Sequence, residues 1–261
     1  MKILRNASYH FLLTQFQCGL FDNPYIELEN ALAAVWNSDT DKAAKESQLK
    51  TVIMLKNSDN VIKKADETKK TVYIPYIFTP ASVSSSSSTA ASWKPALDLE
   101  AAGKYFTVVT DTVGRDKNYS QLELLEYVNT IKGDAKVVVL MSKASGPSVM
   151  VFSEVEPLAD AILFYYGSTS WFFADALLEI VNGDVEPSAL LPFQMPASMD
   201  AVEAQLEDVP RDMECYVDAD GNVYDFAYGL NWNGKIEDER VKTYSVEPLA
   251  HVESIEFHYA D

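Results

Sequence analysis

From position 159 to 195 the chain reads ADAILFYYGSTSWFFADALLEIVNGDVEPSALLPFQM, and this stretch constrains the fold more than any other. Residues 162–166 form a short apolar run with a β-branched and aromatic bias, bounded by Asp160 and Gly167. That is the composition of a strand buried on both faces. Ser168, Thr169 and Ser170 follow, offering side-chain oxygens to the free N–H groups of a helix start. Trp171, Ala174, Leu177, Leu178 and Val181 then recur at helical spacing, and Asn182-Gly183 closes the helix with the residue that best takes a left-handed cap. Strand, turn and helix in this order predict a layer of an α/β domain. The Ser- and Gly-rich turn falls at the carboxyl end of its strand, where open α/β sheets place their ligands.

The remaining chain extends this pattern. Leu4, Ala7, Phe11, Leu12 and Phe16 are spaced for an amphipathic helix that Gly19 stops, and residues 26–36 and 41–55 read as two further helices. Residues 71–78 and 105–111 read as strands. A Ser-rich segment at 84–88 lacks the apolar surface to offset its ordering and is expected to be a surface loop. Ser120 and Glu123 make a capping box for a helix with Leu124, Leu125, Val128 and Ile131 on one face; Gly133 ends it. Residues 136–142 give a third strand and 149–152 a short extended run. A short helix marked by Met199, Val202 and Leu206 leads to a hairpin at 214–226 turning at Asp220-Gly221. The tail at 252–259 alternates loosely enough for an edge strand. The expected architecture is α/β, a mostly parallel sheet sandwiched between helices, with a helical segment at 1–56, a sandwich domain at 57–261 and a C-terminal hairpin and edge strand.

At 261 residues the chain can bury one sizeable core. With 39 acidic against 21 basic residues it carries a formal charge of −18, which repels nucleic acid and anionic membranes and leaves neutral partners open. Cys18 and Cys215 are too few and too far apart for a disulfide framework or a metal site. Neither a run approaching the ~20 residues of a membrane span nor a signal-peptide core is present, so the expected location is cytoplasmic.

Four motifs then point to a family. Residues 183–196 (GDVEPSALLPFQMP) resemble the "GDxNPSGKLPxTxP" signature of glycoside hydrolase family 3, the β-glucosidase family, within the α/β sandwich that follows its catalytic barrel. Residues 18–25 (CGLFDNPY) are similar to the "LGLFDNPY" that ends the family barrel; residues 55–62 (LKNSDNVI) to the "LLKNDxxLLPL" that enters the sandwich; residues 224–232 (YDFAYGLNW) to the closing "YPFGYGLSY". All four occur in family order across residues 10 to 235. The resemblance implies that the first helix is the last of a barrel otherwise absent here, that a carbohydrate is the ligand, and that a barrel-bearing chain or self-association covers the orphaned helix.

Hydrolysis with retention needs two carboxyl groups about 5–5.5 Å apart. In the family the attacking Asp lies in the barrel and the acid/base group on a sandwich loop; here the corresponding interval, 110–119, is short, and the resemblance transfers no catalytic residue. Asp111 and Asp116 are the carboxylates in that loop, and Asp111, Ser168 and Trp171 are the candidate substrate-binding residues. Glu154 and Glu156 look like a carboxylate pair but match the family "E.EP" turn, whose role is structural. His10, His251 and His258 lie in terminal segments outside any nucleophile motif. The Asp218 to Asn222 cluster lacks the closing Glu of a calcium loop and reads as a turn. No cofactor or metal is expected. Tyr165, Tyr166, Trp171 and Phe172 gather at the central turn, where they serve either as core or as rings for a sugar to stack on, the core reading being favoured. The function implied is hydrolysis of O-glycosidic bonds when completed by a barrel, or a non-catalytic structural or weak sugar-binding role.

Overall fold

A computed structural model describes residues 2–35, 37–83, 87–111, 120–143, 151–166, 171–206, 209 and 211–244, with the side chains of 171–173 excepted. The chain divides between Glu46 and Ser47. The first unit holds helices α1 (Lys2–Gln17) and α2 (Leu28–Val35) and most of α3 (Ser38–Leu49). No side chain of these helices is buried: Ile3 is 85% exposed and Phe11 68%. The large apolar side chains of α1 and α2 are therefore mostly exposed, whereas Leu49 at the end of α3 packs partly buried against the core of the second unit.

The second unit runs through β1 (Ile53–Asn57), β2 (Thr71–Ile74), β3 (Tyr76–Thr79), β4 (Ser82–Val83), β5 (Ser88–Thr89) and β6 (Ser92–Pro95). After these come α4 (Leu99–Tyr105), β7 (Thr107–Thr110), α5 (Gln121–Ile131), β8 (Val138–Lys143), β9 (Ala161–Tyr166) and α6 (Trp171–Asn182). It ends with α7 (Met199–Ala204), β10 (Leu230–Asn231), β11 (Gly234–Lys235) and α8 (Glu239–Tyr244). The main sheet has the order β11-β10-β1-β9-β8. Strands β8 and β9 run parallel, as do β2 and β7, and β1, β10 and β11 add antiparallel pairings on one side of β9.

The α/β class expected from the sequence is the class observed, and its physical basis is the alternation of side chains along β1 and β9. Ile53, Leu55, Ile162 and Phe164 face one way, into a core with Leu191, Met195, Tyr224 and Tyr228. Val52, Met54, Leu163 and Tyr165 face the other way, against Leu177 and Ile180 of α6. The sheet is thus covered by the 189–228 segment on one face and a helix on the other. Ala174 and Leu178 turn toward Ala102 and Phe106 beside α4, forming a third cluster.

Several expectations are corrected. The helix read across 41–55 stops at Leu49, and 53–57 is strand β1; the short apolar run Val52 to Leu55 satisfies both periods, and burial on both faces decides for strand. The strand read at 71–78 is two, because Pro75 has no N–H for the ladder; β3 leaves β2 and pairs with β6. Helix α4 was not foreseen, although Asp98 caps it by accepting from the amides of Glu100 and Ala101. The Ser120–Glu123 capping box is present in both directions. Around the Ser-rich segment β4 and β5 pair as a short ribbon, with residues 84–86 outside the described ones. The tail at 252–259, and with it the expected edge strand, also lies outside them. Among the described residues no helix is long and apolar enough to cross a membrane.

Candidate functional site

Two carboxyl ends of parallel strands carry the candidate groups. At the end of β7, half-buried Asp111 accepts a hydrogen bond from the Tyr73 hydroxyl of β2. The pairing of Tyr73 with Val109 sets this contact, and the Thr110 hydroxyl donates to the Ile74 carbonyl at 2.7 Å just beneath it. Asp111 is therefore positioned by the adjoining strand. Of the other two candidates, Ser168 lies outside the described residues, and Trp171 opens α6 with its side chain outside them.

At the end of β9 the two adjacent tyrosines separate. Tyr165 is buried against α6, whereas Tyr166 is 39% exposed. Tyr166 stands edge-on to Phe193 at 6.2 Å between centroids and to Phe164 at 5.2 Å, and Phe164 meets Phe193 at 5.5 Å. The Lys143 ammonium, from the end of β8, sits 5.7 Å from the Phe193 centroid. Burial raises the Tyr166 phenol above its ordinary pKa, so at neutral pH it is a neutral ring with a hydroxyl. Aromatic faces beside a cation form a surface able to stack a neutral ring and donate to its oxygens. Phe193 and Lys143 were missed by sequence reasoning. Phe193 falls on an unspecified position of the 183–196 motif, and only the sheet register brings Lys143 opposite Tyr166.

The carboxylates of the Glu154-Val155-Glu156 turn are not a pair. Glu154 is exposed, while Glu156 is 5% exposed and bound to Lys56 at 2.6 Å and to the Tyr216 hydroxyl at 2.9 Å. Burial and this carboxylate push the Tyr216 phenol up to about 12. Asp218 closes its turn by accepting from the amides of Asp220 and Asn222 and from the Tyr224 hydroxyl at 3.0 Å. Its burial opposes ionisation, but the bonds from Asn222, Tyr224 and Asp220 outweigh this and hold the carboxyl below its usual range. Among the described residues no group of three or more His, Cys, Asp or Glu side chains could hold a metal ion.

Three of the four sequence motifs meet in one scaffold. The Leu191 and Met195 amides donate to the carbonyls of Tyr228 and Tyr224, Ala227 N–H returns a bond to Leu191, and the Tyr228 hydroxyl donates to the Leu55 carbonyl at 3.2 Å. Their residues build the support for the strand ends.

No protein-family model matches the chain. It is 28% identical over 225 residues to a probable β-glucosidase C of Aspergillus oryzae and 27% identical over 231 residues to β-glucosidase C of Emericella nidulans. Each alignment covers 85% of this chain but 34% and 35% of those proteins, so the chain spans about a third of their length. A putative β-xylosidase of Formosa agariphila is 26% identical, over 89% of this chain and 36% of that one. Among solved structures, a β-glucosidase of Listeria innocua in complex with glucose superposes with a TM-score of 0.54 at 14% identity, over 83% of this chain and 37% of that one. A β-glucosidase of Erythrobacter marinus superposes with the same score at 16% identity, over 88% and 40%. The motifs, the relatives and the shared fold agree: this chain is β-glucosidase-like, similar over most of its length to about one third of a glycoside hydrolase family 3 enzyme.

Proposed function

We propose that this chain is the sandwich part of a β-glucosidase-like hydrolase, serving hydrolysis of O-glycosidic bonds once a barrel domain supplies the attacking carboxylate. The observation that carries this reading is the match of 85% of the chain to about a third of the β-glucosidases. Retaining hydrolysis needs two facing carboxyl groups. Here Asp111 is held by Tyr73 and Glu156 by Lys56 and Tyr216, so the chain offers positioning groups: Asp111, Ser168 and Trp171, with Tyr166, Phe193 and Lys143 as a stacking surface.

The purified chain alone is expected to hydrolyse no aryl β-glucoside, because nucleophile and positioned acid each contribute about 100-fold or more. Adding the barrel portion of the Aspergillus oryzae relative as a second polypeptide is expected to give turnover above either part alone. Turnover by this chain alone that survives repurification and is abolished by one substitution in it would overturn the reading. A second reading, a non-catalytic sugar-binding module, is favoured by the engagement of Asp111 and Glu156 within the chain and by the exposed aromatic surface at Tyr166. Glucose binding seen by NMR titration and lost in Tyr166→Ala, with no turnover in the mixture, selects it.

The exposed face of α1 belongs to the same proposal, since the resemblance places a barrel against it. Without that cover, a few hundred Å² of apolar surface at about 25 cal/mol per Å² favours burial by several kcal/mol, comparable with the cost of association. Light scattering over a concentration series is expected to show weak self-association that Phe11→Glu abolishes. A strict monomer at high micromolar concentration, or an oligomer indifferent to Phe11→Glu, removes this part of the proposal.

A further inference from the structure

Lys143 and Tyr166 end β8 and β9 as register partners, so their side chains leave the sheet on the same face from strands about 4.8 Å apart. Phe193 joins them there, its ring 6.2 Å from the Tyr166 ring and 5.7 Å from the Lys143 ammonium. The polar tips of this group differ from those elsewhere in the unit. The hydroxyls of Tyr105, Tyr216 and Tyr224 donate to carboxylates, and Lys56, Lys132 and Lys136 pair with acids. Among the described residues the Tyr166 hydroxyl has no hydrogen-bond partner, and the Lys143 ammonium meets the Phe193 ring and no carboxylate.

Residues 135–153, 161–174 and 187–199, which carry Lys143, Tyr166 and Phe193, contain no Asp or Glu, although the chain has 39 acidic residues. The stretches that build this surface therefore bring no counter-charge to its cation. A half-buried ammonium beside aromatic rings has shed part of its hydration, and it gains most from a charged oxygen that a ligand brings. The chain's charge of −18 opposes anions at long range, but physiological salt screens that field beyond about 8 Å. An oxygen on a ring stacked at Tyr166 lies within that distance of Lys143. A pyranose offers a face for stacking and exocyclic oxygens at its rim. A neutral hydroxyl there would meet the ammonium with an ordinary hydrogen bond, whereas a carboxylate or sulfate would meet it with a charge-assisted one, roughly twice as strong.

We propose that the surface of Tyr166, Phe193 and Lys143 selects sugars bearing an anionic substituent, a uronate carboxylate or a sulfate ester, with the ring on Tyr166 and the charge on Lys143. This rests on the carbohydrate-stacking role proposed above for the same surface. The test is NMR titration of the full chain at neutral pH and physiological salt with methyl β-glucoside, its 6-sulfate and methyl β-glucuronide, which differ only at the exocyclic carbon. Dissociation constants are read from the amides of Ser142, Lys143, Tyr165 and Tyr166. An anionic sugar should bind about tenfold more tightly than the neutral one, and whichever of the two holds the advantage identifies the substituent as carboxylate or sulfate. Lys143→Met should bring that ratio to about one and Lys143→Arg should keep it, while Tyr166→Ala should weaken all three sugars. Equal binding of the three by the unaltered chain overturns the selectivity and leaves the stacking role standing, and so does an advantage that survives Lys143→Met. Binding of none of the three removes the stacking role and the proposal with it. Inorganic sulfate that binds as tightly as the sulfated sugar overturns the proposal too, since the ring would then contribute nothing.

Discussion

Replacing Gly183 by alanine should destabilise the protein by at least ~3 kcal/mol, whereas the same change at Gly221 should cost only about 1 kcal/mol. Both glycines have positive φ, +94° and +82°, so both substitutions carry the left-handed penalty of a side chain. They differ in surroundings. A Cβ on Gly183 would lie 1.9 Å from the Lys63 carbonyl oxygen and 2.7 Å from the Ala65 nitrogen, while one on Gly221 meets nothing within 4 Å. The atoms in the way at Gly183 are backbone, and the Gly183 carbonyl itself accepts from Ala65 N–H at 2.8 Å. Relief of the clash therefore means pulling the 63–65 segment from the end of α6. For a chain of this size 3 kcal/mol corresponds to a fall in Tm of about 6–12 °C. Thermal and urea unfolding of both variants tests this, and equal losses at the two sites would sink the explanation. Gly229 stands similarly close, its Cβ position 2.4 Å from the Ala189 carbonyl oxygen. The glycines of the 183–196 and 224–232 motifs thus mark where backbone meets backbone.

That contact explains why some of the molecule was legible in the sequence and some was not. The strand at 161–166, its helix and the Gly183 cap are local: each follows from spacing and from one conformationally special residue, and each is present. The capping box at Ser120 is local in the same sense. The run Val52 to Leu55 failed because four apolar residues carry no period; pairing of Ile53 with Phe164 decides its state, and that partner is distant in the chain. The partners around the candidate site were hidden for the same reason. Tyr73 meets Asp111 only through the parallel register of β2 and β7, and Lys143 joins Tyr166 only through that of β8 and β9. The motif glutamates were visible, but their separation into an exposed Glu154 and a buried Glu156 depends on a lysine from β1.

Removing that lysine gives the other large expected effect: Lys56→Met should cost about 3–5 kcal/mol, because it strips the counter-charge from a buried carboxylate. Glu156 is 5% exposed and receives the Lys56 ammonium twice, on its carboxylate at 2.6 Å and on its backbone carbonyl at 2.9 Å. After the substitution only the Tyr216 hydroxyl remains bonded to the carboxylate, and the Met side chain can satisfy neither oxygen. The size of the loss does not measure the worth of the pair. Two charges taken from water repay little more than their desolvation, so Lys56→Met with Glu156→Leu should recover most of the stability, leaving about 1 kcal/mol for the orphaned Tyr216 hydroxyl. An exposed pair such as Lys242 with Glu239, 74% and 87% exposed, provides the control: Lys242→Ala should change stability by less than about 0.5 kcal/mol. Urea unfolding of the two single variants and the double one completes the test. If the double variant is as unstable as Lys56→Met alone, packing around the lysine stem, rather than the abandoned carboxylate, accounts for the loss, and the pair is not what ties β1 to the turn at Glu156 and to the Tyr216 segment.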